Sequence, residues 1–93
     1  MSSFRPVAPY WWITNFGGIV TNGIIAARSK KRLVRITFVL GAATHVIEAG
    51  YAYTTAQRAG FDDAWKWGLQ TLGVGFPSVR ALNDVLRERA VHA

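Results

Sequence analysis

His45 and Glu48 are the residues whose types and spacing could do chemistry. Three positions apart, they share one face of a helix. They stand in a stretch, Leu33 to Gln57, whose other charge is Arg35 near one end. A carboxylate inside an apolar span is costly to desolvate and points to function by default. The chemistry open to the pair is proton relay, quinone contact, haem ligation or metal binding. Metal binding is the weakest of these, because zinc and di-iron sites need more ligands than one His and one Glu. The chain has no cysteine, which excludes thiolate zinc, iron–sulfur and thiol-nucleophile chemistry. Haem held by His45 would need its second axial ligand from another chain. The reading without chemistry is a structural pair, in which Glu48 accepts from His45, from a Thr or Asn of a neighbouring helix, or from an Arg of a partner subunit. No Ser-His-Asp or Walker-type pattern is present, and Gly73-Val74-Gly75 falls inside an apolar stretch rather than a phosphate loop. The expectation is no catalytic residue, no metal and no cofactor of the chain's own, with quinone or haem confined to a subunit interface.

The elements that must position this pair follow from composition. Ninety-three residues carry eleven Lys+Arg against five Asp+Glu, a net charge of +6, yet only 17% are charged and 51% are apolar. Soluble domains average roughly 25% charged. This length makes a single domain, 1–93, and the apolar and aromatic content excludes disorder. Arg5 and Arg28 bracket an uncharged stretch long enough to cross a hydrocarbon core. That run exceeds the apolar segment of a secretory signal, so it reads as a retained span. The pattern predicts an all-α integral membrane fold of three transmembrane helices, at about 8–28, 33–58 and 63–89, the last bent near Pro77. Gly60 suits the residue after a helix, and Asp62 or Asp63 suits the cap of the next.

Charge position sets the expected orientation. The knot Arg28, Lys30, Lys31, Arg32 and Arg35 holds five cations and the C-terminal segment three, Arg80, Arg87 and Arg89. Arg5, Arg58 and Lys66 fall on the other side of a three-span arrangement. Eight against three is the positive-inside pattern, which predicts the N-terminus outside and the C-terminus cytoplasmic, in the bacterial inner membrane if the source is prokaryotic. The knot would meet anionic lipid headgroups. Tyr10, Trp11, Trp12, Trp65 and Trp67 would form an outer aromatic belt. A soluble nucleic-acid binder would need the cations on one folded face and leaves the uncharged first stretch unexplained, so no nucleic-acid partner is expected.

Each span carries a small or polar stripe suited to close helix packing. The packing candidates are Asn15, Gly18 and Asn22 on the first helix, Gly41, Ala42 and Ala49 on the second, and Gly68 and Gly75 on the third. On the second helix the row Ala42, His45, Ala49, Ala52, Ala56 lies beside the row Gly41, Thr44, Glu48, Tyr51, Thr55, while Ile36, Val39, Leu40, Val46 and Ile47 suit lipid.

The segments His45-Val46-x-Glu48-x-x-Tyr51-Ala52 and Trp67-x-Leu69-Gln70-Thr71-x-x-x-Gly75-x-x-Ser78 resemble the transmembrane protein 254 family, over helices two and three. The resemblance implies a small multi-span membrane protein with no established activity, and so no catalytic assignment. It marks the two blocks as the positions that matter and offers Gln70 and Thr71 as partners of Glu48. A shorter first segment and Pro77 depart from the family pattern.

The functional expectation is a non-catalytic accessory or anchor subunit packed among other membrane protein subunits. A quinone-linked respiratory oxidoreductase resembling succinate dehydrogenase is the concrete form of such an electron-transport complex. In it His45, Glu48, Tyr51, Trp67, Gln70 and Thr71 would border a quinone or orient a partner. The alternative is a self-contained membrane enzyme or lipid- or quinone-binding protein that uses His45 and Glu48.

Overall fold

The structure is a computed structural model that describes residues 3–92, with side chains through Val91. Among the described residues all regular structure is helical. Helix α1 covers residues 9–28 and contains a π-turn at Trp12–Phe16, α2 is Arg32–Arg58, α3 is Ala64–Val74 and α4 is Phe76–His92. The all-α expectation holds, and the first two boundaries agree within a residue. Among the described residues, α2 is the one helix long and apolar enough to cross a membrane on its own.

The α1–α2 turn is three residues long. Ser29 organises it: its Oγ accepts from Lys31 N at 3.0 Å and its carbonyl accepts from Arg35 Nε at 3.1 Å. The helices then pack through Gly23, where the Phe38 ring lies 3.2 Å from the position a Cβ would take. Helix α2 ends in a Schellman motif. Phe61 N donates to Ala56 O and Gly60 N to Gln57 O, both at 3.1 Å, with Gly60 at φ 84°. Only glycine takes that φ without steric cost, so the sequence reading of Gly60 was correct.

Helix α3 runs antiparallel along α2. Gly68 packs on Tyr53 and the Ala49 carbonyl, and seven residues later Gly75 packs on His45. The chain then reverses. Gly75 has φ 76° and ψ −135°, and α4 returns beside α3, with Leu82 and Val85 packed among Ala52, Ala56, Phe61, Ala64 and Trp67. Pro77 sits in the first turn of α4, where its missing N–H costs nothing. The third helix expected at 63–89 with a bend near Pro77 is therefore two antiparallel helices, broken at Gly75 rather than at the proline. One consequence is topological. Arg5 reaches Glu88 at 2.6 Å and Arg89 stacks on Phe61 at 4.6 Å, so the C-terminal arginines lie with the N-terminal segment and the α2–α3 loop. They do not sit beside the basic knot, as a third spanning helix would require.

The core surrounds the C-terminal half of α2. Ala52 and Ala56 are fully buried there with Trp67 and Leu82. Trp67 is thus a core residue and not part of an aromatic belt, while Tyr10, Trp12 and Trp65 are exposed. The molecule is 54 Å long and 23 by 18 Å across.

Candidate functional site

Helix α3 ends against both α1 and α2, and the junction is where the singled-out polar residues converge. A helix leaves its last four carbonyls without partners in the helix. At the end of α3, side chains from two other helices supply partners. His45 Nδ1 lies 2.9 Å from Leu72 O, and Asn15 Nδ2 donates to Val74 O at 2.7 Å. The Thr71 carbonyl accepts from Gly75 N at 2.7 Å. A carbonyl only accepts, so Nδ1 of His45 carries the proton. The imidazole Nε2 then faces Gly75, 3.2 Å from where a Cβ would stand, and Glu48 Oε1 faces the same point at 3.5 Å.

The π-turn in α1 serves this junction. Its wider coil sets Trp12 and Asn15 on the end of α3: the Trp12 indole occupies the place a side chain at Gly73 would fill, and Asn15 caps Val74. Single π-turns are often retained at functional positions. Trp11 adds an edge-to-face contact with Phe76 at 5.7 Å.

Gln70 and Thr71 do not partner Glu48. Both are buried and turn to the α3–α4 hairpin, where Ser78 Oγ accepts from Gln70 Nε2 at 3.1 Å and from Thr71 Oγ1 at 2.8 Å. Gln70 also donates to Arg5 O at 3.2 Å and accepts from Val7 N at 2.9 Å. Tyr51 is exposed. Trp67 lies in the core and donates from Nε1 to Ser3 Oγ at 3.1 Å. Of the expected site, His45 and Glu48 come together on Gly75, while Gln70 and Thr71 join Ser78.

The packing candidates divide likewise. Asn15, Ala49, Gly68 and Gly75 make the expected close contacts. A Cβ at Gly18 or Gly41 would meet open space, and Asn22 and Ala42 line a groove between α1 and α2. Arg28, Lys30, Lys31, Arg32 and Arg35 are all exposed, as headgroup contacts require.

Sequence reasoning offered Asp63 as a cap but missed its partners. It occupies the N-cap position of α3 but makes no side-chain capping bond to that helix. Instead its carboxylate accepts from Ser3 N at 2.8 Å, Ser3 Oγ at 2.9 Å and Phe4 N at 2.7 Å, and it is buried. It ties down the N-terminal segment, with Phe4 edge-on to Trp67 at 5.4 Å. Gly73 was missed too, though a second glycine two residues from Gly75 was its signal.

Among the described residues no three His, Asp or Glu side chains gather as a metal site. The Nδ1 of His45 is held by the Leu72 carbonyl. Together the helices and junction define an all-α protein with one membrane-length helix and cross-helix polar capping. The chain belongs to the transmembrane protein 254 family, which matches residues 1–85 and so extends beyond helices two and three to the whole of α1. No curated protein and no solved structure matches it. The family and α2 both support membrane localisation.

Proposed function

We propose that the chain is a small non-catalytic integral membrane subunit, anchored by the α1–α2 hairpin and packed in a larger membrane complex. One observation carries the reading: large apolar side chains of the hairpin point outward, and exposed threonines among them bond their own helix. Ile13, Val20, Ile24, Val39, Leu40 and Ile47 are all strongly exposed. A patch of that extent is foreign to a soluble monomer. The exposed hydroxyls of Thr37, Thr44 and Thr54 instead bond the carbonyls of Leu33, Leu40 and Gly50 at 2.8–2.9 Å, which removes the cost of facing lipid.

Two spans replace the expected three. Residues 9–28, taken as one helix through the π-turn, are about 30 Å long at 1.5 Å per residue, which matches the hydrocarbon thickness. Helix α2 is about 40 Å long, so its last turns project beyond the bilayer. There they join the start of α3, the end of α4 and the N-terminal segment in a head that keeps Asp84, Arg87 and Glu88 in water, while the α3–α4 reversal dips beside Asn15 and His45. Tyr10, Trp12, Tyr51 and Tyr53 then mark the boundary. By the positive-inside rule the basic turn faces the cytoplasm, and both ends of the chain lie on the other side.

His45 supports a structural role over catalysis, because its Nδ1 proton is spent on the end of α3. Partner subunits are the natural cover for outward apolar faces, and the quinone-linked oxidoreductase is one such assembly. Purification in mild detergent without crosslinker tests the proposal. Copurification of a stable set of membrane proteins is expected; recovery of isolated monomer alone would overturn the subunit reading. Glu48→Gln separates the alternative: loss of an activity at normal abundance would favour a self-contained enzyme.

A further inference from the structure

Resting on the membrane reading, a second feature points to a ligand. A groove of about 330 Å³ lies between α1 and α2, lined by Ile19, Asn22, Leu33, Val34, Phe38 and Gly41 among others. That volume is at the small end of ligand pockets. The lining is overwhelmingly apolar. It starts at Leu33, next to Arg32, and extends to Gly41, about 12 Å further along the helix at 1.5 Å per residue. Its Leu33 end therefore adjoins the basic turn. The five cations of that turn are exposed, and among the described residues none of them meets a carboxylate, whereas Arg5 pairs with Glu88 and Arg87 with Asp84. Arg32 and Arg35 also stand in the first turn of α2, where the helix dipole disfavours cations. Apart from Arg35, which bonds the Ser29 carbonyl, and Arg28, which suits the C-terminal turn of α1, the cluster serves neither an internal partner nor its own helix.

An apolar slot that opens on unpaired cations is complementary to an amphiphile with an acyl tail and an anionic head. We infer that this groove holds one chain of an anionic phospholipid of the cytoplasmic leaflet, with its phosphate at Arg28, Lys30, Lys31, Arg32 and Arg35. Occupancy is local and selective, and differs from the general attraction of a basic turn for a charged surface. The groove supplies retention and the turn supplies headgroup choice.

Native mass spectrometry of the full chain, released from detergent with equal dioleoyl phosphatidylglycerol and dioleoyl phosphatidylcholine, tests this. One retained phosphatidylglycerol is expected, preferred about tenfold over phosphatidylcholine. Lys30→Ala with Lys31→Ala and Arg32→Ala is expected to remove the preference. Gly41→Leu is expected to reduce retention of both lipids. A side chain at Gly41 enters open space and leucine favours helix over glycine, so the fold tolerates it. Equal retention of the two lipids, or unchanged retention in Gly41→Leu, would overturn the inference. Carbonate extraction is run on the same variants. Release into the supernatant sinks the membrane reading itself, whereas a pelleted protein without lipid preference sinks only the lipid site.

Discussion

At Gly75 two independent constraints meet. Its φ of 76° with ψ of −135° is a backbone state left almost entirely to glycine, and the imidazole of His45 fills the space a methyl would need. Gly75→Ala is therefore expected to cost about 1–3 kcal/mol from the backbone alone, plus the displacement of His45, read as a lowered Tm in detergent. His45→Ala leaves the Leu72 carbonyl without its cap and should cost about 1 kcal/mol. The double variant should be less destabilised than the sum, since removing the ring relieves the crowding but not the φ strain. That non-additivity, measured as a cycle of Tm shifts, would be absent if the two residues did not touch. His45 and Glu48 were legible in the sequence as charge in an apolar run. Their setting was not, because a three-residue spacing reports a shared face and says nothing of which chain segment ends against it. Asp63 shows the same limit: its position before a helix was readable, but its partners Ser3 and Phe4 lie sixty positions away.

The α3–α4 hairpin is held by Ser78, whose Oγ serves two buried donors. Ser78→Ala strands the Thr71 hydroxyl and should cost about 1–3 kcal/mol. Thr71→Val removes donor rather than acceptor and should cost less, because Gln70 still reaches Ser78; equal Tm losses would argue against a shared acceptor. The end of α4 is tied to the N-terminal segment by Arg5 and Glu88, both half exposed. The Glu88 hydrogen bond and its charge hold the Arg5 guanidinium above its usual pKa. A cation raised in the folded state contributes below its unfolded pKa and loses that contribution as pH rises through the folded value. The Tm difference between the native chain and Arg5→Met should thus stay flat from about pH 6 to 9 and shrink only in strong alkali; a marked change near neutrality would mean another group controls the contact. Element boundaries for α1 and α2 were legible, from apolar run lengths and the Gly60 signal. The break between α3 and α4 was read at Pro77 because proline is the louder signal, yet proline fits a first helical turn and glycine alone fits the reversal.

On the scale of the molecule, the reversal changes which charges share an end. Counting cations along the chain paired the C-terminal arginines with the basic knot, and that count assumed every apolar stretch crosses. The chain has no cysteine, so single cysteines report sidedness cleanly. In sealed vesicles Gln57→Cys and Val91→Cys should react with an impermeant maleimide from one side and Lys30→Cys from the other. Labelling of Val91→Cys together with Lys30→Cys would restore the three-span arrangement. The N-terminal segment adds a consequence for biogenesis. Ser3 is anchored by a residue 60 positions later and Arg5 by one 83 positions later. On the membrane reading the hairpin can insert while the ribosome is still at work, but the head cannot close until α4 emerges. A product cut short before α4 would then carry an inserted hairpin with an open head, a ready mark for quality control.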